Sequence, residues 1–336
     1  MMKESFKVIV CVPIFNVEAY IERCAISLFE QTYNNIELVF VNDCSPDRSL
    51  ELLNGVITRY SNQTRSVVLL NNNKNCGIAT VRNLAVRCAR GEFVFFVDSD
   101  DFLETDAIEI MVSKQLATGA DIVSSNYYKT YTRGETPYME SVPKEIEKLR
   151  IAALNRSVPV HIWGRLIRRS LFIDNNVQFI DGCNMGEDFQ VIPRLFYFAK
   201  RTAHIENCIY HYNLINASSY SSTFTEKQSR QVFEGVNMLK QWLSDKEVQY
   251  QEALYQGEAF MLAMYMVACV RSGNKTYSQE LRKKMSRVGV EQISAVPILY
   301  RMTYRLRNYY ILRMYVFVGH VVKKRWNRIS KSIYLC

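Results

Sequence analysis

The chain has 336 residues, 48% hydrophobic and 22% charged, so it can bury a core and is not a disordered segment. Its net charge of +9 is local: the chain totals 42 basic and 33 acidic residues, and residues 292–336 hold nine Lys or Arg and no acid. Residues 1–291 are therefore neutral, which argues against a general nucleic-acid-binding face and for a local anionic partner.

The first hundred residues alternate strand and helix patterns. Short apolar runs that do not alternate with polar residues, separated by helices, are typical of a parallel sheet covered on both faces. The predicted strands are Lys7–Val12, Ile36–Val41, Val67–Leu70 and Phe93–Val97, and the predicted helices are Val17–Gln31, one that starts at Ser45-Pro46-Asp47, and Ile78–Ala89.

A polar cluster follows each of the four predicted strands. The clusters are Pro13–Asn16, Asn42–Asp47, Asn71–Gly77 and Asp98–Asp101. Ligands of open parallel sheets bind beyond the carboxyl ends of the strands. We therefore expect a binding cleft at this edge of the sheet.

Asp98 and Asp100 are candidate metal ligands. Two carboxylates one residue apart at a strand end can direct oxygen ligands at a hard divalent cation such as Mg²⁺ or Mn²⁺, with phosphate and water completing the shell. The alternative is a turn in which Asp101 caps a helix over Phe102–Gln115.

Three further positions have a functional and an ordinary interpretation. Asp43 can accept a hydrogen bond from the imide of uracil, or it is a helix-entry acid. Arg82 suits a diphosphate, or it is a solvated side chain. Glu187 and Asp188 open a helix, where a carboxylate can act as general base or simply as a first-turn acid.

Six segments taken together resemble the family-two glycosyltransferases with the GT-A fold, of the bacterial polysaccharide type. Their order and spacing match over about residues 6–215. The segments are V-P-I-F-N, V-N-D-C-S-P-D-R-S, N-C-G-I-A-T-V-R-N, F-V-D-S-D-D, W-G-R-L and G-E-D.

The resemblance implies an α/β GT-A fold, with a mostly parallel central sheet flanked by helices and a helical C-terminal extension. It implies inverting, metal-dependent transfer of a hexose from a nucleoside diphosphate sugar, with UDP as the expected nucleotide. The implied site residues are Pro13, Asn16 and Asp43 at the nucleoside, Arg82 near the diphosphate, Asp98, Ser99 and Asp100 at donor and metal, Asp188 as base, and Trp163 and Glu187 on the acceptor side.

The chain departs from the family pattern at three positions, which bear on donor specificity. Cys44 stands where glycine is usual, Asn42 where an acid is frequent, and Arg165 where lysine is common. None of these positions belongs to the metal or base set.

The expected domains are a catalytic domain over 1–225 and a helical, basic extension over 226–336. Residues 1–101 would form the nucleotide-binding half and 102–225 the acceptor half.

Within the extension, 298–334 is typical of a basic amphipathic segment on an anionic membrane, or of a helix packed on the domain. The membrane alternative favours a glycan or lipid-linked acceptor in surface polysaccharide assembly. Tyr309–Val322 is too short to span a bilayer, and 259–270 is predicted to be a core helix.

Nine cysteines without a C-x-x-C pair are typical of reduced thiols in a cytoplasmic protein. The N-terminal apolar run ends at Pro13 and is too short for a signal peptide or a span. We therefore expect a cytoplasmic protein, or one peripheral on the cytoplasmic face of the inner membrane.

Two other classes compete with a transferase. A sugar-nucleotidyltransferase would share the sheet, but the sequence lacks a Gly-rich phosphate loop followed by lysine near the N-terminus. A non-catalytic nucleotide-sugar-binding module would lose metal or base carboxylates that are present here. Dinucleotide redox chemistry is disfavoured because no G-x-G-x-x-G follows the first strand.

Overall fold

The computed structural model describes residues 6–62, 65–88, 90–216, 225–289, 293, 296–306 and 308–317. The chain divides into two compact units. The first comprises residues 1–153 with 158–222, and the second comprises 154–157 with 223–336.

The first unit is built on a nine-stranded sheet. Eight strands follow the order β3-β2-β1-β4-β8-β6-β9-β5, and β7 pairs with β6. The strands are β1 Val8–Ile14, β2 Ile36–Asn42, β3 Ser66–Asn71, β4 Phe93–Phe96, β5 Phe102–Leu103, β6 Ile122–Tyr131, β7 Gly134–Tyr138, β8 Arg165–Arg168 and β9 Thr202–Asn213. The helices assigned to these residues are α1 Ile21–Phe29, α2 Ser49–Arg59, α3 Ile78–Cys88, α4 Ala107–Thr118, α5 Ile146–Leu154, α6 Ser170–Ile173 and α7 Glu187–Phe198.

The predicted α/β class is confirmed, and the four N-terminal strands are parallel to one another. β1 pairs in parallel with both β2 and β4, and β2 pairs in parallel with β3. All residues of β2 and β4 are buried, as the unalternating apolar runs predicted. Beyond β4 the sheet is mixed, because β8 runs antiparallel to β4 and to β6.

The predicted helix over Phe102–Gln115, with Asp101 as its cap, is wrong. Phe102–Leu103 is a short strand paired with β9, and α4 begins at Ala107 after Asp106. Asp101 instead accepts hydrogen bonds from β9, so the chain stays extended past it before the helix starts.

Two other predicted element boundaries differ from those observed. β1 continues through Pro13 to Ile14, since β4 pairs only with Val8–Cys11 and the proline lies beyond that ladder. α2 begins at Ser49 rather than after Ser45, because the carboxylate of Asp47 accepts hydrogen bonds from both serine hydroxyls and from the backbone N–H of Ser49.

The second unit is helical in its described residues. Its helices are α8 Glu226–Trp242, α9 Val248–Ser272, α10 Lys275–Met285 and α11 Ile298–Arg305, and residues 309–317 are also helical. α8 opens with a capping box, in which the Thr225 hydroxyl and the Gln228 side chain each bond the other residue's backbone N–H.

The predicted core helix over 259–270 lies within α9, whose buried residues include Ala259, Ala263 and Met266. Among the described residues, α9 is the one helix long and apolar enough to cross a bilayer, and 56% of its apolar window is buried in the structure. A core helix of a soluble protein has the same properties. The part of the predicted membrane segment over 318–334 lies outside the described residues.

Candidate active site

The polar residues that follow the four parallel strands lie at one edge of the sheet. β1 ends at Ile14, β2 at Asn42, β3 at Asn71 and β4 at Phe96. The registers pair Ile14 with Asn42 and Asn42 with Asn71, so these ends are level. The predicted clustering at the carboxyl edge is therefore observed.

Asp43 lies at the base of this edge and is held by the loop that follows β3. One carboxylate oxygen accepts hydrogen bonds from the Asn72 side chain at 2.7 Å and the Cys76 backbone N–H at 2.9 Å. The other accepts the Gly77 N–H at 2.8 Å. Asp43 is buried and six residues before α2, so the alternative of a helix-entry acid is wrong.

The segments after β1 and β2 turn sharply and lie side by side. Asn16 and Cys44 adopt positive φ values of 55° and 58°. That is the left-handed region, where glycine carries no steric penalty, so the glycine that the resemblance implies at position 44 would suit this backbone. The Asn16 N–H donates to the Ser45 hydroxyl at 2.8 Å. Asn16 is exposed at this edge and Pro13 is half-buried in β1.

The segment Asp98–Asp101 is fixed by the tyrosine hydroxyl of Tyr210 on β9. This hydroxyl accepts the Asp98 backbone N–H at 3.1 Å and donates to the Asp101 carboxylate at 2.6 Å. The Asn213 N–H donates to the other oxygen of Asp101 at 2.7 Å. Ser99 is buried within this turn. Asp101 thus anchors the turn internally.

Asp100 is held by two asparagines at the end of β9. The Asn216 amide donates to its carboxylate at 2.8 Å, and the Asn213 amide donates to its backbone carbonyl at 3.0 Å. Burial raises the pKa of Asp100 to about 6, and the neighbouring Asp98 carboxylate adds to the rise. The two carboxylates therefore repel each other when both are ionised, and a cation bound by both would relieve that repulsion.

Arg82 is buried, with 2% of its side chain exposed, so the alternative of a solvated arginine is wrong. Its Nη2 donates to Asp98 at 2.9 Å, and its Nη1 donates to Glu187 at 2.8 Å and to Asp188 at 2.7 Å. One guanidinium therefore joins the turn after β4 to the start of α7.

Glu187 and Asp188 open α7 behind Gly186, which has φ 73°. The second oxygen of Asp188 accepts the Ile162 N–H at 3.1 Å. Burial raises the pKa of Glu187 to about 8, with the Asp188 carboxylate adding to the rise. Burial also raises the pKa of Asp188, and the positive charge of Arg82 opposes that rise. Glu187 and Asp188 therefore lie in the first turn of α7, and both also accept hydrogen bonds from the buried guanidinium of Arg82.

Trp163 lies in an aromatic stack and is 7% exposed. Its ring centroid is 3.6 Å from that of His161 and 4.5 Å from that of Tyr210, with both ring pairs nearly parallel. The stack connects Trp163 to the tyrosine that holds Asp98. Its predicted place on the acceptor side stays a prediction.

Sequence reasoning missed the residues that support the site from a distance. Buried Glu140 accepts His161 Nε2 at 2.7 Å and Arg165 Nη2 at 3.4 Å, and Arg165 Nε donates to the His161 carbonyl at 2.8 Å. This cluster fixes the segment that presents the Ile162 N–H to Asp188. Tyr210, Asn213 and Asn216 were missed as well. The one available signal was that Asn213 stands at the end of a strand, as Asn42 and Asn71 do.

Comparisons with known proteins agree on the family. The model named Glycosyl transferase family 2 matches residues 9–175. Glycosyltransferase GlyA of Streptococcus pneumoniae is 30% identical over 238 residues, which cover 66% of this chain and 32% of GlyA. The chain thus spans about a third of that relative's length.

Two solved structures share the fold. TarS 1-349 of S. aureus, in complex with UDP-GlcNAc, superposes with a TM-score of 0.71 at 20% identity and covers 94% of this chain and 91% of that one. The mannosyltransferase PcManGT of Pyrobaculum calidifontis, in complex with GDP-Man and Mn²⁺, gives 0.53 at 15% identity, over 97% and 88%. The fold expected from the resemblance is confirmed.

Proposed function

The chain belongs to glycosyl transferase family 2, and on that premise we propose that it transfers a hexose from a UDP-sugar to a hydroxyl of a glycan or lipid-linked acceptor. The observation that carries the proposal is that Asp98 and Asp188, the expected donor-side and base carboxylates, meet at one buried guanidinium at the carboxyl edge of the sheet. Residues 1–225 would carry catalysis and 226–336 would form the extension.

The nucleoside would lie on Pro13, Asn16 and Asp43. The Asp43 carboxylate accepts three hydrogen bonds from the loop that follows β3. A carboxylate has about four acceptor positions, so it can accept one more, from an N–H such as the uracil imide. The loop contacts hold Asp43 in place before any ligand arrives, which lowers the entropic cost of binding.

A divalent cation, Mn²⁺ or Mg²⁺, would be held by Asp98 and Asp100. The donor set fits such an ion, because it consists of two hard carboxylates on one turn that repel each other when both are ionised. In the described residues no group of three or more His, Cys, Asp or Glu could hold a metal, so donor phosphate and water would complete the shell. When bound, the ion supplies positive charge against the departing diphosphate.

Asp188 would act as the general base. Its carboxylate takes the proton of the acceptor hydroxyl while that oxygen bonds to the anomeric carbon and the bond from this carbon to the diphosphate breaks. Attack from the face opposite UDP inverts the anomeric configuration. The contacts with Arg82 and the Ile162 N–H hold the carboxylate in one orientation, which general-base catalysis requires. Glu187 and Trp163 would lie on the acceptor side.

The basic extension would hold the enzyme at the cytoplasmic face of an anionic membrane. In its described part, the helix over 309–317 exposes Tyr310, Met314 and Phe317, each by 64% or more, with Arg313 also exposed. Apolar and cationic side chains on one short helix suit the interface of a bilayer. Co-sedimentation of the full chain with anionic vesicles at low salt tests this, and failure to sediment would contradict it.

The experiment that tests the function is a donor panel. UDP-, GDP- and dTDP-sugars are incubated with the protein and Mn²⁺ or Mg²⁺, and free nucleotide and pyrophosphate are measured separately. The proposal expects slow, metal-dependent UDP release by donor hydrolysis. Pyrophosphate formation would indicate a sugar-nucleotidyltransferase, and donor binding without release would indicate a binding module.

A further inference from the structure

Arg82 uses three of its five N–H donors for bonds inside the protein. Both terminal nitrogens donate to carboxylates of the protein itself, and these bonds are 2.7–2.9 Å long. Its Nε is buried without a hydrogen-bond partner in the described structure. The Cζ atom lies 5.9 Å from the Phe96 ring centroid and 5.8 Å from that of Phe179.

These contacts disagree with a position on the donor diphosphate. Because only 2% of the side chain is exposed, the guanidinium would have to move to bring its remaining N–H donors to a phosphate, and that movement would disturb the contacts with Asp98, Glu187 and Asp188. Breaking a buried pair from one side is costly, because the remaining charge is then uncompensated. The same geometry suits a different task, since a planar guanidinium can hold two groups on separate elements at fixed angles.

We propose that Arg82 is a positioning residue that fixes the base Asp188 relative to the donor-side Asp98, and that it does not bind the diphosphate. The inference rests on the proposed function, because it assigns the two carboxylates the roles given above. α3 carries the guanidinium, β4 leads into Asp98, and the first turn of α7 contains Asp188, so a single side chain sets the spacing of three elements. Misplacement of a reacting group by about 1 Å can cost ~10²-fold in rate.

The variant Arg82→Lys separates this role from diphosphate binding. Lysine keeps the positive charge but lacks the planar guanidinium with its two terminal nitrogens. It therefore cannot donate to Asp98 and Asp188 at once at the observed angles. We expect kcat to fall ~10–10²-fold, while the Kd of UDP in EDTA stays within about twofold of wild type, the scatter expected of an unperturbed site. A tenfold weaker binding of UDP in EDTA, with binding of uridine unchanged, would show that Arg82 contacts the diphosphate and would overturn the inference.

A double-mutant cycle with Asp188→Asn gives the second readout. If Arg82 acts through Asp188, Arg82→Lys should lower kcat less than about twofold further in the Asp188→Asn background, because contacting residues are not additive. If Arg82→Lys lowers kcat by the same factor in the wild-type and the Asp188→Asn backgrounds, the inference is contradicted. The matched control is Arg87→Lys, which changes an exposed arginine on the same helix and should leave both parameters unchanged.

The melting temperature tests the ion pairs without any donor. Arg82→Lys should lower the Tm by about 5 °C, and adding Asp188→Asn should recover part of that loss by removing an unpaired charge. If adding Asp188→Asn recovers none of the lost Tm while the wild-type protein is active, the positioning role is overturned and the proposed function stands. A wild-type protein that neither binds UDP nor releases it from any donor would overturn the proposed function, and with it the positioning role.

Discussion

Asp98 and Asp188 bind the same guanidinium group, at 2.9 Å and 2.7 Å, although 90 positions separate them in the sequence. One follows the last of the four parallel strands and the other opens a helix beyond β8. Each also has a second fixed contact: the Asp98 N–H donates to the Tyr210 hydroxyl, and the Ile162 N–H donates to the Asp188 carboxylate. Both carboxylates are therefore held in place by contacts within the protein.

The variant Asp100→Ala should abolish the metal-dependent part of donor binding. The turn would keep Asp101 and its contacts with β9, but lose one of its two expected cation ligands. Calorimetric titration of UDP with and without Mn²⁺ checks this. Asp106→Asn, at an exposed acid that makes no side-chain cap, should bind as wild type does. Unchanged UDP binding with Mn²⁺ in Asp100→Ala would count against the metal assignment.

Tyr210→Phe should destabilise the protein by about 1–3 kcal/mol, because the buried Asp101 carboxylate loses a donor and the Asp98 N–H loses its acceptor. Urea unfolding measures this loss. Metal-dependent UDP binding should weaken in the same variant, since the turn is then less constrained. Tyr131→Phe, at a side chain 46% exposed, is the control and should change neither quantity. Equal unfolding midpoints for the two variants would show that the hydroxyl contacts are unimportant.

Gly77→Ala should weaken UDP binding about tenfold, which corresponds to roughly 1.4 kcal/mol of strain. Gly77 has φ +86°, an added Cβ would collide with the Asn184 amide, and its N–H donates to Asp43. Gly55→Ala is the matched control, because no neighbouring atom lies within 4 Å of an added Cβ in α2. That variant should bind UDP normally and gain up to about 1 kcal/mol of stability. Normal UDP binding by Gly77→Ala would contradict the role of this loop.

The stability of the protein should depend on the protonation of Glu187. The pKa of this carboxyl is 4.5 in the unfolded reference and about 8 in the folded chain. Between these values the folded state binds more protons than the unfolded state, so the free energy of unfolding decreases as the pH rises, by at most about 1.4 kcal/mol per pH unit. The stabilisation is complete below pH 4.5 and is lost towards the folded pKa.

Urea unfolding of wild type and Glu187→Gln between pH 5 and 8 measures that dependence. The glutamine variant should lose less stability than wild type as the pH rises. Glu22→Gln, at an exposed acid of α1, should follow the wild-type curve. Parallel curves for wild type and Glu187→Gln would show that Glu187 ionises normally in the folded protein.

The strands and the polar edge could be predicted because their signals are local. Apolar runs such as Ile36–Val41 are buried on both faces, and a buried parallel strand needs no alternation.

The supporting contacts could not be predicted because they join distant parts of the chain. Tyr210 meets Asp101 across 109 positions, and Arg82 meets Asp188 across 106. Residue type alone does not distinguish a solvated arginine from a buried one. Only the folded chain shows that the guanidinium of Arg82 is shared by the carboxyl groups of Asp98, Glu187 and Asp188.

Donor and metal binding are assigned to Asp98 and Asp100, and removal of the acceptor proton to Asp188. The most direct test of this assignment uses one preparation of Asp188→Asn. The rate of sugar transfer and the Kd of UDP with Mn²⁺ are measured together. Loss of a general base costs ~10²–10⁴-fold in rate, so kcat should fall by that factor while the Kd stays within about threefold, since Asp98 and Asp100 remain. A transfer rate within a few-fold of wild type would contradict the account.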